Sequence, residues 1–117
     1  MKRKYSLIIL IHVLIFTASC QNDSKILILL KSHQKEEIIK GAYLAGESGN
    51  KIFSPLLLQN ANDVRTSTSL KYKGYNIYQE KMIALSKIYK QRPPAQITSN
   101  PDSSVIKFYI SLSDRKK

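Results

Sequence analysis

The sequence offers few side chains that could catalyse a reaction. It has one cysteine, Cys20, and two histidines, His12 and His33, so a zinc site made of Cys and His would lack ligands. A Ser–His pair could form between residues far apart in sequence, but no nucleophile-elbow motif is present. Segment 46–49 (Gly-Glu-Ser-Gly) has the glycines of a nucleophile turn without a preceding strand, and a helix stop explains it better. We therefore predict a protein that is not an enzyme and has no metal site and no cofactor.

The acidic side chains also favour a protein that is not an enzyme. Glu36, Glu37 and Glu80 could supply a pair of carboxylates for acid–base catalysis. We interpret them instead as solvated side chains on helix surfaces, and we expect His33, at a helix start, to be exposed and inert.

A short basic and aromatic segment is the candidate interaction surface. Lys71, Tyr72, Lys73 and Tyr75 alternate cations with rings, as some nucleic-acid-binding surfaces do because bases stack on aromatic side chains. The same residues could contact lipid headgroups, a glycan or an acidic protein. The alternative is a positively charged loop whose rings pack on the domain. A formal net charge of +11 favours anionic partners in general.

Residues 1–19 have the three parts of a secretory signal. Lys2, Arg3 and Lys4 form the basic part, residues 7–16 form the apolar core, and residues 17–19 are small. The apolar core is too short to span a bilayer comfortably. We therefore expect export, which argues against nucleic acid as a partner, with a retained anchor or simple cleavage and secretion as alternatives.

The residues around Cys20 indicate how the exported protein is held. Ala18-Ser19-Cys20 resembles the lipobox of bacterial lipoproteins, although Thr17 stands where that family usually has leucine. The resemblance implies acylation of the Cys20 thiol, and several acyl chains together anchor a protein firmly. Gln21 follows the cysteine, which by the same resemblance permits sorting to the outer membrane. We therefore expect a location in the cell envelope at the outer membrane, facing either the periplasm or the exterior.

The stretch 35–59 organises the rest of the chain. Ile38, Ala42 and Ala45 share one face of a predicted helix. Gly49, before Asn50, predicts a left-handed stop. Pro55 then suits the first turn of a second helix, which the three leucines at 56–58 continue. The pattern predicts an αα-hairpin.

This junction resembles the helix–turn–helix junction of HEAT-like repeats, which often have an Ala/Leu/Gly helix end, a Gly-Asn turn and a Pro-Leu-Leu helix. The apolar stripe also recurs forty residues later, at Tyr78, Met82 and Leu85, within the interval of HEAT-type arrays. The resemblance implies a short α-solenoid fragment. Any other small helical hairpin is the alternative.

Three flanking segments complete the predicted domain. Residues 25–31 predict a short helix, although their length also permits a strand; Asp23 or Ser24 would cap it, and Ser32 would cap the next helix. Residues 64–73 predict a polar connection, with a β-hairpin around residues 70–77 as the alternative.

Two helices are predicted after this connection. Asn76 and Gln79 have capping-box spacing, so a helix should run from there to about residue 91, with Glu80 and Lys81 off its apolar face. The tail, residues 100–117, has Asn100 as a predicted cap and Pro101 at the first helical position. Its β-branched and aromatic residues also favour a strand.

Together these features predict an all-α protein with a signal peptide at 1–19, an acylated cysteine and tether at 20–24, and a helical domain at 25–117. Short solenoids usually bind other proteins. We therefore expect a non-enzymatic envelope lipoprotein that binds the membrane through Cys20 and acts as an interaction module for another envelope protein. The alternative is an inhibitor or immunity-type lipoprotein that neutralises one toxin or hydrolase.

Overall fold

The computed structural model describes residues 22–115, and the fold of this part of the chain is all-α. Within it, β pairing is limited to one bridge between Thr66 and Asn76. The predicted fold class is therefore confirmed, and the alternative β-hairpin over residues 70–77 is wrong. Among the described helices, none has the length and apolar character needed to cross a membrane. The helices are 22–30 (α1), Lys35–Ser48 (α2), Ser54–Leu58 (α3), Ile77–Tyr89 (α4) and Ser103–Asp114 (α5), with 3₁₀ turns at Lys51–Phe53 and Leu70–Tyr72.

Helix α2 ends as predicted but begins differently. Gly49 adopts the left-handed conformation (φ 68°), and its N–H donates to the carbonyls of Ala45 and Gly46, which closes the helix. At the other end, the N-cap is Gln34, whose side chain makes no capping bond. Ser32, predicted as the cap, instead accepts a hydrogen bond from the Gln34 N–H (3.1 Å) and fixes the turn before the helix.

Helices α1 and α2 form an antiparallel pair. Residues 22–24, predicted as tether, are already helical, and Asp23 at the start of α1 accepts a hydrogen bond from the Asn50 side chain beyond the end of α2 (3.3 Å). The two helices approach closely at Gly41, where a Cβ would lie 2.9 Å from the Cβ of Leu29 and 3.0 Å from the backbone nitrogen of Leu30. A glycine is therefore required at this crossing.

Helices α2 and α4 run side by side in the same direction. Near their starts, Ile39 and Ile77 belong to one buried cluster. Near their ends, Glu47 accepts a hydrogen bond from Lys87 (2.8 Å). Between these contacts, a Cβ on Gly46 would lie 3.0 Å from the Ala84 Cα. The stripes predicted from the sequence are buried along this packing: Ile38, Ala42, Ala45, Tyr78, Met82 and Leu85.

Helix α3 packs antiparallel to α4. Ser54 at its start is hydrogen-bonded to the hydroxyl of Tyr89 (2.8 Å), and Lys81 donates to the Gln59 carbonyl just beyond its end (2.7 Å).

The prediction that Glu80 and Lys81 lie off the buried face is wrong, because only 5% and 4% of their surfaces are exposed. Helix α4 contacts α2, α3 and α5, so burial extends beyond the stripe that its period predicts.

The last two helices confirm the predicted helical structure with shifted ends. Helix α4 begins with the predicted capping box of Asn76 and Gln79, and it ends at Tyr89 because Lys90 turns left-handed. Helix α5 is capped by Asp102, which accepts from the Ser104 N–H (2.8 Å), and not by Asn100 as predicted. Both helices start at the same end of the domain, where the Asn76 side chain donates to the Ser99 carbonyl (2.8 Å).

One core hydroxyl makes an unfavourable contribution to stability. The hydroxyl of Tyr78 is fully buried and has no hydrogen-bond partner among residues 22–115, and such a group costs roughly 1–3 kcal/mol. We expect Tyr78→Phe, which keeps the ring, to raise the free energy of unfolding by about 1 kcal/mol, measured by urea denaturation.

The matched control is the second fully buried tyrosine. The Tyr109 hydroxyl donates to the Gln91 carbonyl (2.9 Å), so Tyr109→Phe should lower the free energy of unfolding by about 1 kcal/mol. If the two substitutions changed stability in the same direction, the assignment of the unpaired hydroxyl to Tyr78 would be wrong.

Candidate functional site

The predicted interaction residues lie on one loop, residues 66–75, which we call the Leu70 loop; Cys20, the predicted acylation site, lies outside the described residues. The base of the Leu70 loop is fixed to the first turn of α2. The Glu36 carboxylate accepts hydrogen bonds from the Ser67 hydroxyl and from the Thr68 N–H (3.2 Å), and the Ser67 bond is the main cause of the lowered pKa of Glu36. The loop is therefore held at its base.

Tyr72 is a core residue of the loop. Its ring is buried with Ile38, Ile39 and Ile77, and it meets the ring of Tyr43 edge-on at a centroid distance of 5.8 Å. Burial is the main cause of the raised pKa of its hydroxyl. Tyr72 therefore anchors the loop, as in the alternative we gave from the sequence.

The cations of the predicted surface are available to a partner. Lys71 and Lys73 are exposed and Tyr75 is half-buried. The Lys71 ammonium lies 5.8 Å from the centroid of the Tyr72 ring, and Lys73 holds a left-handed conformation (φ 56°) that closes the 3₁₀ turn. The structure thus brings the four predicted residues together but divides them between anchoring and exposed roles.

Leu70, which is not among the predicted interaction residues, is the most exposed large apolar residue of residues 22–115. It is 96% exposed at the tip of the loop, and Ser69 before it accepts from the Lys71 N–H (3.3 Å) to start the turn. The sequence feature that could have indicated an exposed Leu70 is its position between Ser69 and Lys71, near the end of a polar connection. An exposed leucine followed by two exposed lysines on a fixed loop is a candidate contact point, because binding residues are disproportionately placed on loops.

The Leu70 loop and residue 22 lie at opposite ends of α2. The loop contacts Glu36 in the first turn of α2, whereas Asp23 contacts Asn50 beyond the last turn. Fourteen helical residues span roughly 20 Å at 1.5 Å per residue. The part of the chain nearest Cys20 is therefore far from the exposed leucine.

The residues considered for catalysis are not assembled into a site. His33 and Ser48 lie at opposite ends of α2, and the Ser48 hydroxyl donates to the Ala45 carbonyl within the helix (2.7 Å). Within residues 22–115 there is no group of three or more His, Cys, Asp or Glu side chains that could hold a metal ion. The interpretation of Glu80 as a solvated residue is wrong, and burial raises the pKa of its carboxyl.

Comparison of the chain with protein-family models, with curated proteins and with solved structures found no match. The proposals below therefore depend on the residues themselves and on the geometry of residues 22–115.

Proposed function

We propose that this protein is a bacterial envelope lipoprotein without enzymatic activity, held in the outer membrane by an acylated Cys20, and that it binds another envelope protein through the Leu70 loop. The observation that carries the binding part is Leu70 itself, 96% exposed on a loop fixed by Glu36 at the end of α2 far from residue 22. The anchor part rests on the Ala-Ser-Cys sequence at 18–20.

The partner class follows from the chemistry of the loop. Burying a leucine side chain contributes roughly 1.5–3 kcal/mol, and Lys71 and Lys73, which follow Leu70 in the loop, attract carboxylates and accelerate association. A protein pocket with an apolar floor and an acidic rim matches both features. Because the loop contacts the first turn of α2 and Asp23 lies beyond its last turn, we infer that the loop reaches away from the proposed anchor at Cys20 toward such a protein.

The helix arrangement is compatible with the HEAT-like part of the proposal. The pairs α1/α2 and α3/α4 are each antiparallel, and α2 and α4 run in the same direction, as stacked helical hairpins do. Helix α5 departs from a simple repeat, because it follows the long connection 90–102 and begins at the same end as α4.

The projecting tip also favours a second function, that of an inhibitor or immunity-type lipoprotein. A fixed loop with one apolar residue at its tip can enter the cleft of a toxin or hydrolase, where a buried anchor side chain supplies much of the binding energy. The identity of the bound protein separates the two functions: a resident envelope protein supports the module, and a toxin or hydrolase supports the inhibitor.

A crosslinking experiment tests the binding surface. A photoreactive amino acid at position 71 in intact cells should give one discrete protein adduct, and Leu70→Asp should reduce it at least about tenfold, since a loss of 1.4 kcal/mol is a factor of ten. The substitution should leave the melting temperature nearly unchanged because Leu70 makes little contact with the domain.

The matched control is Ile28→Asp on α1, which replaces another exposed apolar residue (69% exposed). It should leave the adduct from position 71 intact. No adduct, or an equal loss in both variants, would rule out the Leu70 loop as the binding surface.

A further inference from the structure

A second feature of the domain, independent of the proposed function, is a cationic cavity between α1, α2, α3 and α4. It has a volume of about 230 Å³. Its wall includes Lys31, Arg65 and Lys81, against one carboxylate, Asp63. The rest of the lining is apolar at Leu30, Ile38 and Leu56 and polar at Ser32, His33, Gln59 and Asn60. We call it the basic pocket.

Lys81 is the deepest charge of the basic pocket. Only 4% of its surface is exposed, and its ammonium donates to the carbonyls of Gln59 (2.7 Å) and Leu56 (3.4 Å). An ammonium has three N–H donors, so these two carbonyls leave one donor that no described residue engages. Neutral carbonyls do not supply the negative charge that a buried cation favours.

The carboxylate in the wall is already committed to another cation. Asp63 accepts from the backbone N–H and the guanidinium of Arg65, with its closest contact at 2.8 Å. The remaining guanidinium nitrogen, Nη1, donates to the His33 carbonyl (2.9 Å) and so connects Arg65 to the turn before α2. Lys31 is exposed at the rim. The positive charge of the pocket therefore exceeds the negative charge of its wall.

From this geometry we propose that the basic pocket binds the oxyanion group, a carboxylate or a phosphate, of a small molecule with a short apolar portion. The oxyanion would accept from Lys81 and Lys31, and the Ser32 hydroxyl, which also lines the cavity, can donate to it. The apolar portion would lie against Leu30 and Ile38. The volume is below the usual range for drug-sized ligands, which limits the ligand to a few heavy atoms.

The protonation of Lys81 makes the proposal measurable. Burial lowers the pKa of Lys81 to about 8, with Asp63 opposing and Arg65 adding to the decrease. A bound oxyanion favours the charged ammonium, so it must raise this pKa. By linkage, the folded protein without the anion becomes more stable as pH rises from about 8 towards 10.5, because the unfolded state binds more protons there.

The probe is sulfate, whose charge does not change between pH 6 and 11. The side-chain Cε–Hε signal of Lys81 is titrated by NMR in the full chain, in sulfate and in chloride at matched ionic strength. We expect sulfate to raise the titration midpoint by about one pH unit, as a nearby opposite charge does. Acetate and methyl phosphate arms then show which oxyanion is preferred.

Two variants locate the effect. Lys31→Ala should at least halve the sulfate-induced rise in the titration midpoint of Lys81. Lys107→Ala removes an exposed cation from α5 outside the pocket wall and should leave that rise unchanged. Equal midpoints in sulfate and chloride would overturn the proposal. So would equal losses in the two variants, because these would indicate general screening and not a site.

Discussion

Gly41→Val is expected to lower the free energy of unfolding by about 3 kcal/mol, near the upper end of the cost of overpacking a close contact. A Cβ at this position would lie 2.9 Å from the Leu29 Cβ and 3.0 Å from the Leu30 backbone nitrogen. Backbone atoms cannot rotate away, so α1 would have to move off α2. Thermal denaturation followed by circular dichroism should show a decrease in melting temperature of roughly 12–24 °C for a domain of this size.

Lys40→Val is the matched control, because it introduces the same side chain one residue earlier at an exposed position. It should cost only the difference in helix propensity, about 0.5 kcal/mol. If the two variants melted at the same temperature, the close approach of α1 and α2 at Gly41 would be wrong.

Cys20→Ala is expected to abolish incorporation of radiolabelled palmitate and to move the protein from the membrane fraction to a soluble one. The physical reason is that in the proposed lipoprotein the acyl chains would supply the anchor, at about 0.8 kcal/mol for each buried CH₂ group, and Cys20 is the only thiol in the sequence. Labelling and fractionation of wild-type and variant cells measure both effects.

Ser19→Ala is the corresponding control and should keep the label, since it leaves small residues before the cysteine. Unlabelled wild-type protein in the soluble periplasmic fraction would overturn the anchor assignment. That result would not contradict the proposed oxyanion pocket, because the pocket proposal depends only on residues within 22–115.

Helix ends could be predicted from the sequence where their signals are local. Gly49 closes α2 and the capping box of Asn76 and Gln79 opens α4, because each device acts through bonds within a few residues. The caps of α2 and α5 were displaced by two residues: Gln34 and Asp102 hold the positions predicted for Ser32 and Asn100. Several polar residues before a helix can serve as its cap, and the surrounding chain selects one of them.

Burial of charged residues could not be predicted from periodicity. Glu80 and Lys81 lie beside the apolar stripe of α4, and their burial depends on α2, α3 and the turn after α3, which come together only in the folded chain. The Lys81 amino group bonds to carbonyls more than twenty residues earlier in the sequence. A helix with partners on several sides buries residues that a one-sided amphipathic helix exposes.

The candidate surface was predicted in part. The alternation of lysine and tyrosine located the correct loop, but it did not show that Tyr72 is buried and Leu70 is exposed. That outcome depends on the hydrogen bonds from Ser67 and Thr68 to Glu36, which set the loop conformation. These bonds join residues about thirty positions apart, beyond the reach of local patterns.

The central claim is that the protein is acylated and that its Leu70 loop points away from its own bilayer. Quenching of an attached fluorophore by doxyl-labelled lipids tests this claim most directly. The proposed acylation would block the thiol of Cys20, so Lys25→Cys and Lys71→Cys would each provide one free thiol for a bimane fluorophore in the full-length protein reconstituted in vesicles. Both positions are exposed. We predict strong quenching at position 25 and little at position 71; equal quenching at both positions, or stronger quenching at position 71, would contradict the account.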